Sequence, residues 1–564
     1  MSIVTRPRIT GPTAPRRRLV LPAPAPQGPE SRRRFLRRRL ALAGGLLLVV
    51  LIALAGALLL FGSGEVPPAT GAAEVVPADV LAYVHLSTDS TRPAVKRAQA
   101  LARRFPDYPL AYAAAINRVT AIVGGGSSSA DFDTGIRPWL GREAAFAVLD
   151  TPSGSAPSLI VLDVANRARA LRFVTGAGAT PVAGYDGVRI LGYRTGTELA
   201  FVRHYLVVGP DAGVRAAIAA GLGHARSLAA DPAYRSAAAG EPAGRVLDAY
   251  LPAAGVRRLV EPRGGVIGAI AGLLDRPALS GVTISVSAVS DGAQLRIHSA
   301  LGGSAASAKR RSHPISFAPT LQSFLPAGSM LMFDVDGLDR AAPELLRAAV
   351  TAGFAANVAP LLARLGTALT AQGVSIHKVT SVFGGETAVA ISPGPTPSLL
   401  VVARTPNEAA TRNELADLEA PLTALFPAPN TGPGQIPGLA DRQIGGVTVH
   451  ELGLGPGLQI DYAVFDGLVV VSTSVAAIDQ VVSRSRSLAD EQTYKTALSG
   501  RPGQLSSVLF TDFSQLLGLG EQTGLTSGTR VRELLPDLAK IRAIGLSSTS
   551  GESDTTTELR LEIP

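Results

Sequence analysis

RSLAADPAYRSAAAGEPAG at residues 226–244 returns as RSLADEQTYKTALSGRPGQ at residues 486–504, with Tyr234 falling on Tyr494 and Pro242 on Pro502. Working outward from this pair, five more matches keep the same order along the chain. VPADVLAYVHL (76–86) answers to LPAGSMLMFDV (325–335), and LGREAAFAVLD (140–150) to FGGETAVAISP (383–393), setting Gly141 on Gly384 and Glu143 on Glu386. PSLIVLDV (157–164) answers to PSLLVVAR (397–404), and YDGVRIL (185–191) to IGGVTVH (444–450). Both halves close with a β-rich ending, LSGVTISVSAVSDGAQLRIHSAL and IRAIGLSSTSGESDTTTELRLEI. Six ordered matches at offsets between about 240 and 263 residues signal an internal duplication.

The repeats are expected at residues 74–302 and 315–564, joined by the linker 303–314, whose Lys309-Arg310-Arg311 is a solvated, protease-sensitive cluster. In the first repeat, Val80–Leu86 has strand character and Pro93–Arg104 has helical period. The runs Ala144–Leu149 and Leu159–Asp163 flank the turn-rich TPSGSAPS and predict a hairpin, and Asn166–Val174 predicts a helix. Val188–Tyr193, Glu198–Val202 and Tyr205–Val208 suggest a meander, followed by two short helices. Val282–Val289 and Gln294–Ala300 flank Ser290-Asp291-Gly292, a hairpin turn. The predicted class is α+β: one N-terminal transmembrane helix, then two tandem homologous mixed α/β repeats with largely antiparallel sheet. A doubly wound sheet is the second choice.

The charge is unevenly placed. The chain has 564 residues and a formal net charge of +9. Residues 1–39 hold 11 Arg and one acidic residue, Glu30, while the remainder carries 42 basic against 43 acidic side chains. The body is neutral, so it has no global attraction for phosphate backbones, and no nucleic-acid partner is expected. There is no cysteine, which excludes disulfides, thiolate metal sites, a cysteine nucleophile and a lipobox anchor.

LALAGGLLLVVLIALAGALLLF at residues 40–61 is free of charge over 22 residues. As a helix it would span roughly 33 Å, enough for a bilayer core. SRRRFLRRR precedes it, so Arg32, Arg33, Arg34, Arg37, Arg38 and Arg39 are the expected topology determinants, and GSGEVPPATG follows without positive charge. The positive-inside rule then places the N-terminus in the cytoplasm and the remainder outside, on the cytoplasmic membrane. A cleaved signal, with Gly71-Ala72-Ala73 as the processing residues, is the alternative to a retained anchor. Residues 1–39 are expected to be a disordered Arg/Pro-rich tail, and 62–73 a linker.

PADVLAYVHLSTD, DFDTGIRPWLGREAAFAV (131–148) and the anchor layout resemble an uncharacterised bacterial membrane-anchored family catalogued as domain of unknown function 3352. The resemblance covers most of the chain beyond the anchor and implies a protein facing the cell envelope, with no catalytic residues to carry over. The second repeat departs from the pattern, having Val382-Phe383-Gly384 where the first has Trp139-Leu140-Gly141.

Chemistry is sparsely signalled. Residues recurring in both repeats, Gly141/Gly384, Tyr234/Tyr494 and Pro242/Pro502, are assigned to turns and packing. Ser375-Ile376-His377-Lys378 has Ser-x-x-Lys spacing but straddles a helix end, and its companion motifs are missing. The seven His are scattered without metal-ligand spacing. Gly-rich GLGEQTG (518–524) lacks the strand and spacing of a dinucleotide loop, and no cofactor is expected. In a strand Asp334 and Asp336 would point to one face, where Asp339 could join them on a cation, but the first repeat has His85 and Ser87 at the equivalent places, which favours a solvated edge or helix cap.

GGVIGAIAGLL (264–274) is apolar on every side. It is read as a buried helix or, more sharply, as an apolar ligand or membrane contact through Val266, Ile267, Ile270, Leu273 and Leu274. The leading expectation is a non-catalytic envelope module that binds a protein partner or a lipid-like ligand, with oligomeric state left open. An envelope hydrolase or transferase is the alternative, with Asp131, Asp133 and Glu143 the carboxylates to check first.

Overall fold

The computed structural model describes residues 66–126, 131–151, 156–260, 279–302, 316–340, 380–394, 397–425, 440–455, 458–524 and 528–564, with isolated positions between 367 and 373. The expected anchor at 40–61, the arginines at 32–39, the linker cluster at 309–311, the Ser-x-x-Lys segment and the apolar stretch 264–274 lie outside the described residues.

The first half runs β1 (Val80–Ser87), α1 (Pro93–Ala102), α2 (Tyr108–Val123), β2 (Leu140–Leu149), β3 (Ser158–Val164), α3 (Arg167–Gly176), β4 (Thr180–Tyr185), β5 (Val188–Gly192), β6 (Glu198–Val202), β7 (Tyr205–Gly209), α4 (Asp211–Leu222), α5 (Pro232–Ala237), β8 (Arg245–Pro252), β9 (Leu279–Val289) and β10 (Gly292–Leu301). The second continues with β11 (Leu331–Asp336), β12 (Glu386–Ser392), β13 (Ser398–Arg404), α6 (Glu408–Leu425), β14 (Ala440–Ile444), β15 (Val447–Gly455), β16 (Leu458–Phe465), β17 (Leu468–Ser472), α7 (Val475–Val482), α8 (Gln492–Ala497), β18 (Ser507–Asp512), α9 (Phe513–Gln522), α10 (Thr529–Leu538), β19 (Ala543–Ser550) and β20 (Asp554–Glu562).

The ladders join end to end, all antiparallel. The first half is ordered β4-β5-β6-β7-β3-β2-β1-β8-β9-β10. Its last strand pairs with β20, from Gly292↔Glu562 to Ala300↔Asp554. The order then unwinds in mirror sequence, β20-β19-β18-β11-β12-β13-β17-β16-β15-β14. End strands β4 and β14 each have one neighbour among the described residues, so this ladder remains open.

This corrects the expected fold class. The halves do not form two separate mixed α/β repeats; they share one large antiparallel sheet of 20 strands among the described residues. The physical reason is at the seam, where each half would otherwise end in a long unpaired edge. Arg296 meets Glu558 at 3.5 Å, Gln294 donates to Glu558 at 3.2 Å, and Arg560 donates to Asp291 at 3.3 Å across it. Helix α1 packs over the seam, placing Ala94, Val95, Ala98 and Leu101 against Ala288, Ala293 and Ile563. At Gly292, φ is +153° and an added Cβ would lie 1.9 Å from the Leu561 carbonyl, so only glycine lets the strands meet there. Among the described residues no helix is long and apolar enough to cross a membrane, and the expected span at 40–61 lies outside them.

Strand alternation gives the first half two buried faces. Ala145, Ala147 and Leu149 of β2 join Val214, Ala217 and Ile218 of α4 on one side. Phe146 and Val148 join Ile136, Trp139, Ala170 and Val174 under α2 and α3 on the other. The predicted hairpins appear as β2–β3 and β9–β10, and the meander as β5–β6–β7.

Candidate functional site

A cluster of titratable side chains is built on the central strands of the first half. Strand β1 carries His85, β2 carries Glu143 and β8 carries Asp248, and the register sets His85 opposite both Ala145 and Asp248. His85 is 1% exposed and Glu143 2%. His85 Nδ1–H donates to Asp248 Oδ1 at 3.0 Å, and His85 Nε2 forms an ion pair with Glu143 Oε2 at 3.3 Å. Arg245 Nε donates to the same Asp248 oxygen at 2.9 Å, with Glu241 3.8 Å behind it.

The environment settles the charges. Burial alone would lower the His85 pKa, but Asp248 and Glu143 outweigh it and raise it to about 9. Burial works against the Asp248 carboxylate too, yet His85 and Arg245 hold it below its ordinary range. Glu143 is lowered in the same way, against burial, by hydrogen bonds from His85 and Tyr205. An imidazolium and a guanidinium therefore face the carboxylates of Glu143 and Asp248, while burial raises the pKa of Glu241 behind Arg245.

Glu143 has a second task. It accepts from the backbone N–H groups of Gly71 and Ala72 at 3.1 and 3.2 Å and from the Tyr205 hydroxyl at 2.6 Å. Its counterpart Glu386 grips the corresponding turn, accepting from Leu321 N–H at 2.9 Å and from the Thr320 hydroxyl at 2.6 Å. The glutamate recurs because each half needs a carboxylate to fasten the chain entering its first strand. Residues 66–76 are held further by Arg92, which donates to the Val66 carbonyl at 2.9 Å.

The second half has no copy of the histidine cluster. Asp334 sits opposite Ala388 and Val508, as His85 sits opposite Ala145 and Asp248. Asp334 is 0% exposed, and neither carboxylate oxygen has a hydrogen-bond partner among the described residues. Burial, reinforced by Glu386, pushes its pKa up to about 8, so near neutral pH it carries a proton.

The three carboxylates proposed for an enzyme do not assemble. Asp131 is exposed and accepts from Thr134 N–H at 2.9 Å, capping the turn Phe132–Ile136. Asp133, also exposed, pairs with Arg137 at 3.1 Å. That turn packs on the α2/α3 side of the sheet, whereas Glu143 faces Gly71 on the opposite side. Among the described residues, no group of three or more His, Asp or Glu is arranged to hold a metal ion.

The recurring residues act in packing. Tyr234 stands edge-on between Tyr83 and Tyr250, with centroids 6.0 and 5.2 Å away. Tyr494 packs on Phe510 at 5.3 Å and accepts from Arg501 at 2.9 Å. A Cβ on Gly141 would lie 2.1 Å from the Asp163 carboxylate, which accepts from Arg142 N–H at 2.7 Å. Sequence reading missed His85 as a centre; the available signal was its place in Tyr83-x-His85-x-Ser87, one face of an otherwise apolar strand.

No curated protein matches this chain. Solved structures titled crystal forms III, I and IV of TP0453 resemble it at a TM-score of 0.24 each, with 13%, 12% and 11% identity. They cover 41%, 42% and 41% of this chain and 80%, 81% and 83% of their own, a likeness too low to argue from. A family model spans nearly the whole sequence, matching residues 41–563: the chain belongs to the family described as protein of unknown function, DUF3352.

Proposed function

We propose that this protein is a non-catalytic binding or interaction module of the cell envelope, displayed on the extracytoplasmic side and engaging an apolar ligand or a protein partner. One observation carries the reading: the side chains best suited to proton transfer are closed inside the sheet. His85, Glu143 and Asp248 expose 1%, 2% and 10% of their side chains, and each is engaged by another member or by backbone. A general acid or base must come within hydrogen-bond reach of its substrate, and these groups are directed at one another. Their arrangement supports a rigid scaffold for surfaces that bind. The arginine-rich stretch at 1–39 followed by uncharged 40–61 supports the extracytoplasmic assignment.

Native mass spectrometry of the full chain in mild detergent, with lipid extraction and crosslinking in cells, tests the reading. A stoichiometric apolar ligand or a reproducible envelope partner is the expected result. Turnover of envelope-type ester or glycoside substrates that disappears in His85→Gln would overturn it. A reporter active only in the cytoplasm, fused after Pro564, should be silent; a strong signal would reverse the assigned side.

A further inference from the structure

Helices α2 and α3 lie on the same side of the sheet. Their inward residues Val123, Ala170 and Val174 share one core with Ile136 and Trp139. The Tyr193 hydroxyl donates to the Val123 carbonyl at 2.8 Å and reaches the Val174 carbonyl at 3.4 Å, tying the two helix ends together. Their outward residues form an unusual surface for a protein in water. Leu110 is 73% exposed, Leu171 43% and Tyr112 39%, and Arg118, Arg169 and Arg172 of the same two helices are exposed as well. Neither helix contains an Asp or a Glu. The turn that packs against both adds Asp131, Asp133 and Arg137, so with Arg118, Arg167, Arg169 and Arg172 of the helices there are five arginines against two carboxylates and the net charge is positive.

The second half provides a control. Helix α6 follows β13 as α3 follows β3, and each begins after an asparagine whose side chain caps the first turn, Asn407 accepting from Ala410 N–H and Asn166 from Arg169 N–H. The fold requirement is therefore the same in both. Yet α6 carries Glu408, Glu414, Asp417 and Glu419 against Arg412, whereas α3 reads RARALRFVTG. Packing does not demand the basic sign.

We propose that the outer face of α2 and α3 docks on an anionic lipid bilayer. The leucines and the tyrosine would enter the boundary between headgroups and acyl chains while the arginines engage lipid phosphates. The side chains stand along two helices rather than around a groove, which suits a flat, laterally fluid surface. The proposal deepens the binding-module reading by naming one partner, and it has its own test.

The chain contains no cysteine, so Leu110→Cys provides a unique site for an environment-sensitive fluorophore. The full chain is reconstituted in phosphatidylcholine vesicles with and without phosphatidylglycerol, and a Leu399→Cys label on the second half serves as reference. The expected result is a blue-shifted, brighter emission at residue 110 only when phosphatidylglycerol is present, with residue 399 unchanged. The shift should disappear in Arg118→Glu/Arg169→Glu/Arg172→Glu, with circular dichroism verifying that this variant stays folded. No response to phosphatidylglycerol, or a response that survives the triple substitution, overturns the proposal. So does a blue shift in detergent that grows with protein concentration, which would assign the face to contact between copies. None of these outcomes alters the ligand or partner found by native mass spectrometry, so the two readings fail separately.

Discussion

His85 and Asp334 occupy corresponding positions, and both contribute stability that falls as pH rises, over different ranges. The His85 pKa is raised from 6.5 to about 9, so its contribution is fully present below pH 6.5 and is lost as pH rises through about 9. Glu143 and Asp248 are lowered, so theirs is present above the ordinary carboxylate range and is lost as pH falls through their depressed values. The cluster is strongest from mildly acidic to neutral pH. His85→Leu would leave Asp248 with Arg245 and Glu143 with only the Tyr205 hydroxyl and the Gly71 and Ala72 N–H groups, both without the imidazolium they share; a loss of about 3–5 kcal/mol is expected in denaturant titrations at neutral pH. Asp334 has a folded pKa of about 8 against 3.8 unfolded, so the folded chain holds a proton that the unfolded chain releases, and stability falls as pH rises between these values. Asp334→Asn keeps the shape and removes the ionisation: a gain of about 5 kcal/mol near pH 8 is expected, vanishing in acid below the unfolded pKa. A flat pH profile for the difference between the two proteins would contradict the assignment.

At the scale of elements, legibility followed the strength of local patterning. Alternating strands with turn residues between them, as in β9–β10, could be read directly because sheet pairing and hairpin chemistry are local. Helix α2 could not, because it buries only Ala115, Thr120 and Val123 and leaves leucine and tyrosine outside, so its apolar period is blurred. Strand β4 was not anticipated, because Pro181 and Gly184 weaken its strand pattern; an edge strand tolerates them, since one side of its backbone needs no partner. The histidine cluster was illegible for another reason: His85 meets Asp248 across 163 residues, a distance no local motif spans. The duplication did identify Glu143 and Glu386 as a matched pair, though their shared task of gripping Gly71–Ala72 and Thr320–Leu321 needed coordinates. The matched caps give an element-scale prediction. Asn166→Ala and Asn407→Ala should each cost about 1 kcal/mol, with faster hydrogen exchange confined to the first turn of α3 or α6, respectively.

For the whole molecule, the seam between β10 and β20 decides how the halves unfold. Its nine paired positions, the Arg296–Glu558 contact and the α1 cover link the two cores. One cooperative transition is therefore expected in calorimetry. Glu558→Arg sets a guanidinium against Arg296 and should divide that transition into two; a single transition shifted downward as a unit would show that the α1 cover is enough to couple the halves. The expectation of separate repeats was wrong because sequence similarity reports common descent and says nothing about which edges pair.

That seam joins equivalent last strands running in opposite directions, which is the arrangement a two-fold axis produces in a dimer. A ten-strand ancestor would have carried a self-complementary edge, and two copies would have completed the same sheet. Joining them into one polypeptide released each copy from the obligation to match the other. One half now has the imidazole and the basic helix, while its twin has a lone carboxyl and an acidic helix, a division of labour closed to identical subunits.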